Sequence, residues 1–314
     1  MFALSSSTRR HNMPGMRSCL CGLRQQVLFY MLLLTTSGPQ VMANQVPSQV
    51  PSAEIDQRVT ASLPTWHGSS AEIVDHLDLT RPFETRTDWT FVVAQLPGQH
   101  FSASSVQVVK GGPLAECFVD ELTPRCKYAI PRNASSLSWF STPLHFYSAK
   151  VVFAGAHDTE PILLVKTGSA YGGDGGHAIF TDLFAYDQHA NRFKPVFSNS
   201  TGSNNNQETR FIERGPLRGD VIVAVPTSTA PYAYRVFVYV RNEDGQYADP
   251  VLRYRSATRY GDRNPLRVID SEMPNILERL GRWKAGDPLP TPDRLPSGCS
   301  HHFSLRGGEE WCTQ

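Results

Sequence analysis

Tyr234-Arg235-Val236-Phe237-Val238-Tyr239-Val240-Arg241 has an apolar centre on both of its faces. At a period of two, Tyr234, Val236, Val238 and Val240 point one way and Arg235, Phe237, Tyr239 and Arg241 the other. A strand that is apolar on both sides is covered on both sides, so this segment belongs inside a layered β structure. Its Phe-x-Tyr core recurs. Phe184-Ala185-Tyr186 precedes Phe237-Val238-Tyr239 by 53 residues, and Pro195-Val196 precedes Pro250-Val251 by 55. Each Phe-x-Tyr follows a β-branched run, Ile162 to Val165 or Val221 to Val225. Each also leads into a turn, Asp187 to Asn191 or the Asp-Gly-bearing Asn242 to Gly245. The spacing predicts an all-β fold of propeller-like or stacked antiparallel sheets, with a β-sandwich of two similar hairpins as the alternative.

Further strands are expected over Trp89 to Val93, Ser105 to Val109 and Leu144 to Phe153. Only one or two short helices fit between them. Ser69-Ser70-Ala71-Glu72 has the form of a capping box and predicts a helix through Ile73, Val74 and Leu77, with Asp75, His76 and Asp78 on its solvated face. A second helix is expected from Pro274 in its first turn to a stop at Gly281, with Trp283 packed beside it. Residues 44–64, rich in Pro, Ser, Gln and Val, read as a flexible lead-in. Residues 65–314 read as one large β domain with a disulfide-pinned tail.

The first 43 residues predict export. Arg9, Arg10, Arg17 and Arg24 precede the apolar run Val27 to Leu34, and Val41-Met42-Ala43 is a small-residue cleavage site. That run is shorter than the ~20 residues a spanning helix needs. Cleavage after Ala43 leaves 26 basic against 29 acidic side chains, a net of −3. This balance argues against nucleic acid, and no basic amphipathic helix argues for a membrane surface. The expected location is therefore periplasmic or secreted. Four cysteines remain after cleavage, and two local disulfides are expected, Cys117 with Cys126 and Cys299 with Cys312, each worth roughly 3 kcal/mol on the chain-entropy model. Cys299, His301, His302 and Cys312 lack the paired spacing of a structural zinc site.

No phosphate loop, nucleophile elbow or H-E-x-x-H pair is present. The candidate site is a pair of polar loops, Tyr171-Gly172-Gly173-Asp174-Gly175-Gly176-His177 and Asn204-Asn205-Asn206-Gln207-Glu208. Glycines allow close backbone approach, Asp174 supplies charge, His177 a titratable ring, and Asn204, Asn205 and Asn206 paired donors and acceptors. With Tyr171, Tyr232 and Tyr234 as flat apolar faces, this mixture suits a protein, peptide or glycan partner. The Tyr171 loop is also longer than its counterpart around Ser228. Asp174 with Asp182, Asp187 or Glu208 would be the carboxylates of a calcium site, but alternating D-x-D-x-D spacing is absent and no cofactor is expected. An extracytoplasmic hydrolase using Asp174, His177 and Glu208 is the alternative, and a structural envelope component the third reading. Asn133 and Asn199 are glycosylation sequons. Asn204 to Glu208, with Tyr254-Arg255-Ser256-Ala257-Thr258-Arg259-Tyr260-Gly261-Asp262, resembles exported proteobacterial proteins of unknown function. That resemblance implies a bacterial envelope location and transfers no catalytic residue.

Overall fold

The computed structural model describes residues 51–65, 68–102, 107–128, 141–155, 160–171, 176–201, 207–227, 233–256, 268–287, 301–304 and 310–313. All belong to the second of two units in the chain, Ser48–Gln314. The residues of the expected export signal, Asn133 and Cys299 lie outside the described residues.

Helix α1 (Ser52–Ser62) comes first, followed by β1 (Glu72–Asp78), the single turn α2 (Thr80–Phe83) and β2 (Trp89–Gln95). A small hairpin of β3 (Gln99–Ser102) and β4 (Gln107–Lys110) separates β2 from β5 (Leu114–Asp120) and β6 (Thr123–Tyr128). These build a first antiparallel sheet in the order β1-β2-β5-β6. Strands β7 (His145–Ala154), β8 (Glu160–Gly168), β9 (Ile179–Asp187) and β10 (Arg192–Ser200) form a second sheet, a simple meander. The third is also a meander, of β11 (Glu208–Phe211), β12 (Val221–Pro226), β13 (Tyr234–Tyr239) and β14 (Pro250–Arg255). Helix α3 (Val268–Arg279) follows it, and a hairpin of β15 (His301–Ser304) and β16 (Glu310–Thr313) comes last.

The three sheets stack in chain order, because their central strands are apolar on both faces. On β8, Leu163 and Val165 pack against Phe91 and Val93 of the first sheet, whereas Ile162 and Leu164 pack against Val221 and Val223 of the third. The outer face of the first sheet (Val92, Ala94, Ala115, Cys117) is covered by α1, and that of the third (Ile222, Ala224, Val236, Val238) by α3. The result is five layers, helix, three sheets and helix. The repeat read from the sequence has a structural meaning here. Phe184-Ala185-Tyr186 and Phe237-Val238-Tyr239 are the third strands of the second and third sheets, and both prolines open or lie within the fourth.

Two local expectations are corrected. The lead-in assigned to 44–64 contains α1. Ile55, Val59 and Leu63 recur every four residues and bury a stripe on the first sheet, at roughly 1.5–3 kcal/mol each, which outweighs the Pro and Ser that flank the segment. Glu72 to Asp78 is an edge strand and not a capped helix. Ile73 packs toward α1 and, after a register shift at Val74, Leu77 packs toward the second sheet; pairing with β2 supplies backbone bonds that an isolated short helix would lack. His76 there meets Asp56 of α1 at 2.5 Å, so it ties a helix to a strand edge. Helix α3 is already formed at Val268, upstream of the expected Pro274 start, and stops as expected at Gly281, whose φ is 67°. Trp283 packs beside it. The Cys117–Cys126 disulfide joins directly opposed residues of β5 and β6.

Candidate functional site

Strand direction decides where the loops fall. Strands β2 and β8 end, and β7 and β9 begin, at one end of the stack, and β10 ends and β11 begins there too. A bond from Asn199 Nδ2 to Thr209 Oγ1 (2.7 Å) ties β10 to β11 near this end. The two polar loops of the sequence therefore spring from the same end, as expected of a site carried by a rigid sheet. Asp174, Asn204, Asn205, Asn206 and Tyr232 lie outside the described residues; Tyr171, His177 and Glu208 lie within them.

Tyr171 and His177 come together, and the structure adds three partners that the sequence did not single out. His145 opens β7 opposite Gly168 of β8. A register shift between Phe146 and Ser148 makes Tyr147 the bulged residue, which re-aims its side chain. The Tyr147 hydroxyl shares a 2.6 Å hydrogen bond with His177 Nε2. The Tyr171 ring sits between two imidazoles, with centroids 4.6 Å from His177 and 4.9 Å from His145. His145 in turn lies 5.7 Å from His100 of the β3–β4 hairpin. His100 Nδ1 donates to the Gly111 carbonyl at 2.9 Å, and since a carbonyl only accepts, this fixes the tautomer. The cluster grades from His100, 3 % exposed, outward to Tyr147, 42 % exposed.

Two atoms in this cluster, His145 Nε2 and His177 Nδ1, are buried without a hydrogen-bond partner among the described residues. A buried polar atom left unbonded costs about 1–3 kcal/mol, so such atoms call for an explanation. Burial, then the neighbouring His100 and His177, hold the His145 pKa below the ordinary imidazole value. Burial and hydrogen bonding to Tyr171 push the Tyr147 phenol up. His145 and Tyr147 are thus kept uncharged, and the patch they share with Tyr171 is an apolar, ring-faced surface with fixed donors and acceptors.

Deeper in the same seam between the first and second sheets, Glu116 of β5 faces Asp182 of β9. Burial first, then Asp182, raise the Glu116 pKa to about 7, against the lowering influence of Lys127. Glu208 belongs to a different network. Arg210 Nε donates to it at 2.7 Å, and the same guanidinium holds Asp270 of α3 through Nη1 (2.5 Å) and Nη2 (3.2 Å). Burial, and the second carboxylate of Asp270, raise Glu208 to about 7 although Arg210 opposes them. Its role is to fasten α3 to the third sheet. The described carboxylates of the unfavoured calcium reading lie apart: Asp182 is in the seam, and Asp187 caps its own turn at the far end of β9 by accepting from the His189 and Ala190 N–H groups. Among the described residues no three His, Cys, Asp or Glu side chains form a metal-holding group. The Asn199 sequon amide is spent on Thr209.

His100 and Tyr147 were not legible as site residues, because 45 positions of chain separate His100 from His145 and 30 separate Tyr147 from His177. The one available signal was the ring-rich start His145-Phe146-Tyr147 of an expected strand. The chain matches no family model, no curated protein and no solved structure.

Proposed function

We propose that the protein is an exported binding module, and that its recognition surface is the imidazole–phenol cluster of His145, Tyr147, Tyr171 and His177 at the loop end of the first two sheets. The observation that carries this reading is the pair of buried, unpartnered ring nitrogens, His145 Nε2 and His177 Nδ1, inside a cluster whose outer ring is 42 % exposed. A ligand that offers hydrogen-bonding groups to those nitrogens as the rings turn outward, while lying against the Tyr171 and Tyr147 faces, removes their desolvation penalty and gains ring contact. A protein, peptide or glycan partner meets both requirements. The hydrolase alternative is less well supported, because Glu208 is held by Arg210 and faces α3.

The test is a peptide and glycan array probed with the mature chain, followed by titration of each hit against Tyr147→Ala and His177→Ala. We expect hits to weaken by roughly tenfold or more in both variants, the equivalent of one lost hydrogen bond with its ring contact. Hits of unchanged affinity in both variants would overturn the assignment.

A further inference from the structure

The opposite end of the stack holds a cleft of about 620 Å³ between the turns of the second and third sheets. That volume is in the range of small-molecule sites. Its charged lining is balanced, with Arg218, Arg241 and Arg282 against Glu160, Asp220 and Glu243. Arg241 is ion-paired with Glu160 and donates to the Gly245 carbonyl at 3.1 Å. Arg282 donates to Asp220 at 3.2 Å and to the Pro216 carbonyl at 2.5 Å. Phe83 and Tyr186 also line it, and Gln188 and Asn242 add amides.

The walls are fixed before any ligand arrives. The Tyr186 hydroxyl is tied to Asn191 at 2.6 Å, and the Tyr247 hydroxyl donates to the Gly219 carbonyl at 2.6 Å. Gly219, at φ 86°, lies so close to the end of β7 that a Cβ there would come within 3.0 Å of the Gly155 nitrogen. Only glycine lets the 215–220 turn close down on that strand. Preorganised walls lower the ordering cost of binding.

We propose that this cleft is a second binding site, for a neutral polyhydroxylated molecule of mono- or disaccharide size. An anionic ligand would meet three carboxylates as well as three guanidiniums, and Arg241 and Arg282 are already bonded to Glu160 and Asp220. An apolar ligand would leave those ionic groups desolvated without compensation. A hydroxyl accepts from a guanidinium and donates to a carboxylate at the same time, so a polyol satisfies interleaved charges of both signs and adds no charge of its own. Its C–H faces would lie on Tyr186.

Amide NMR of the mature chain would be recorded during titration with glucose, trehalose, glucose 6-phosphate and citrate, for wild type, Gln188→Ala, Glu243→Ala and Tyr147→Ala. Gln188 and Glu243 are exposed, so both substitutions are expected to leave the melting temperature unchanged. Glucose or trehalose is expected to shift amides of the 155, 185–188, 218–220 and 240–245 turns, with affinity about tenfold weaker in each cleft variant and unchanged in Tyr147→Ala. Any of three results would overturn the proposal: tighter binding of citrate or glucose 6-phosphate than of either neutral sugar, no shift at these turns with any probe, or sugar affinity that depends on Tyr147 and not on the cleft residues. Because the two sites lie at opposite ends, this outcome is separable from that of the array experiment.

Discussion

Gly168 lacks a side chain where Tyr147 needs the room: a Cβ there would stand 2.7 Å from the Tyr147 ring and hydroxyl. Gly168 sits in a regular strand, so alanine is compatible with its backbone and the conflict is only with the end of an exposed ring. Gly168→Ala is therefore expected to change stability by less than about 1 kcal/mol while displacing Tyr147 from His177. Denaturant unfolding checks the first part and the His177 ring resonances check the second; an unmoved His177 spectrum would show that the ring tolerates the methyl group. Glu116 offers the complementary case, in which the fold is taxed and the surface is spared. Its carboxyl is 7 % exposed, faces Asp182 and has its pKa raised to about 7. Glu116→Gln removes the charge that wild type must carry in the seam above pH 7, so the variant should gain on wild type as pH rises from about 4.5 to 7, by up to roughly 3 kcal/mol. Parallel urea titrations at pH 5 and pH 8 read this directly, and an equal difference at both pH values would show that Glu116 is not the titrating group. Neither residue is identifiable from sequence as special, because Gly168 gains its meaning from a bulge on the neighbouring strand and Glu116 from a carboxylate 66 positions away.

Elements were legible where period and punctuation agreed. Ile162 to Val165, Trp89 to Val93 and Tyr234 to Tyr239 are all strands, and the two-faced apolar pattern of the last correctly marks a covered position. The third copy of the sheet unit was not legible. In the second and third sheets Phe184 and Phe237 face the preceding sheet, but in the first sheet the preceding layer is α1, and small Ala115 and Cys117 occupy that face. Phe118 points the other way, toward the second sheet. A helix needs less ring volume beneath it than a sheet does, so the Phe-x-Tyr signature disappears from the sheet it covers. At the other end of the stack, α3 is held by more than apolar contact. Arg210 bridges Glu208 and Asp270, whose side chains are 11 % and 9 % exposed, and its removal would strand two carboxylates in a buried site. Arg210→Ala is expected to cost roughly 3 kcal/mol, within the range for breaking a buried ion pair. Arg210→Ala with Glu208→Gln and Asp270→Asn should recover much of that loss, because the stranded charges go with the guanidinium. Denaturant midpoints test the pair, and a triple variant no better than the single one would mean that the cost is lost packing of the arginine stem.

Among the described residues, three buried carboxyls titrate in the same direction. Glu116 and Glu208 are raised from 4.5 to about 7 and Asp220 from 3.8 to about 6, in each case chiefly by burial. An acid with a raised folded pKa holds its proton in the folded state after the unfolded chain has lost its own. Its contribution is fully present below the unfolded value and is lost as pH rises through the folded one. The window is therefore about pH 4 to 7, and the three contributions add because the groups lie in separate places: the first seam, beneath α3, and the cleft at the turn end. His145 works against them, since its lowered pKa makes protonation below its ordinary value of 6.5 costly to the fold. One imidazole opposes three carboxyls, so the balance falls on the acid side. The mature protein is expected to melt at a higher temperature near pH 5 than at pH 8, with Glu116→Gln flattening part of that slope and His145→Gln steepening it. Calorimetry at a series of pH values decides the matter: a melting temperature that climbs from pH 5 to pH 8 would mean that these carboxyls ionise freely and that water reaches the seams between the sheets. A descending one would place the stack among folds whose layers are closed by protonated acids.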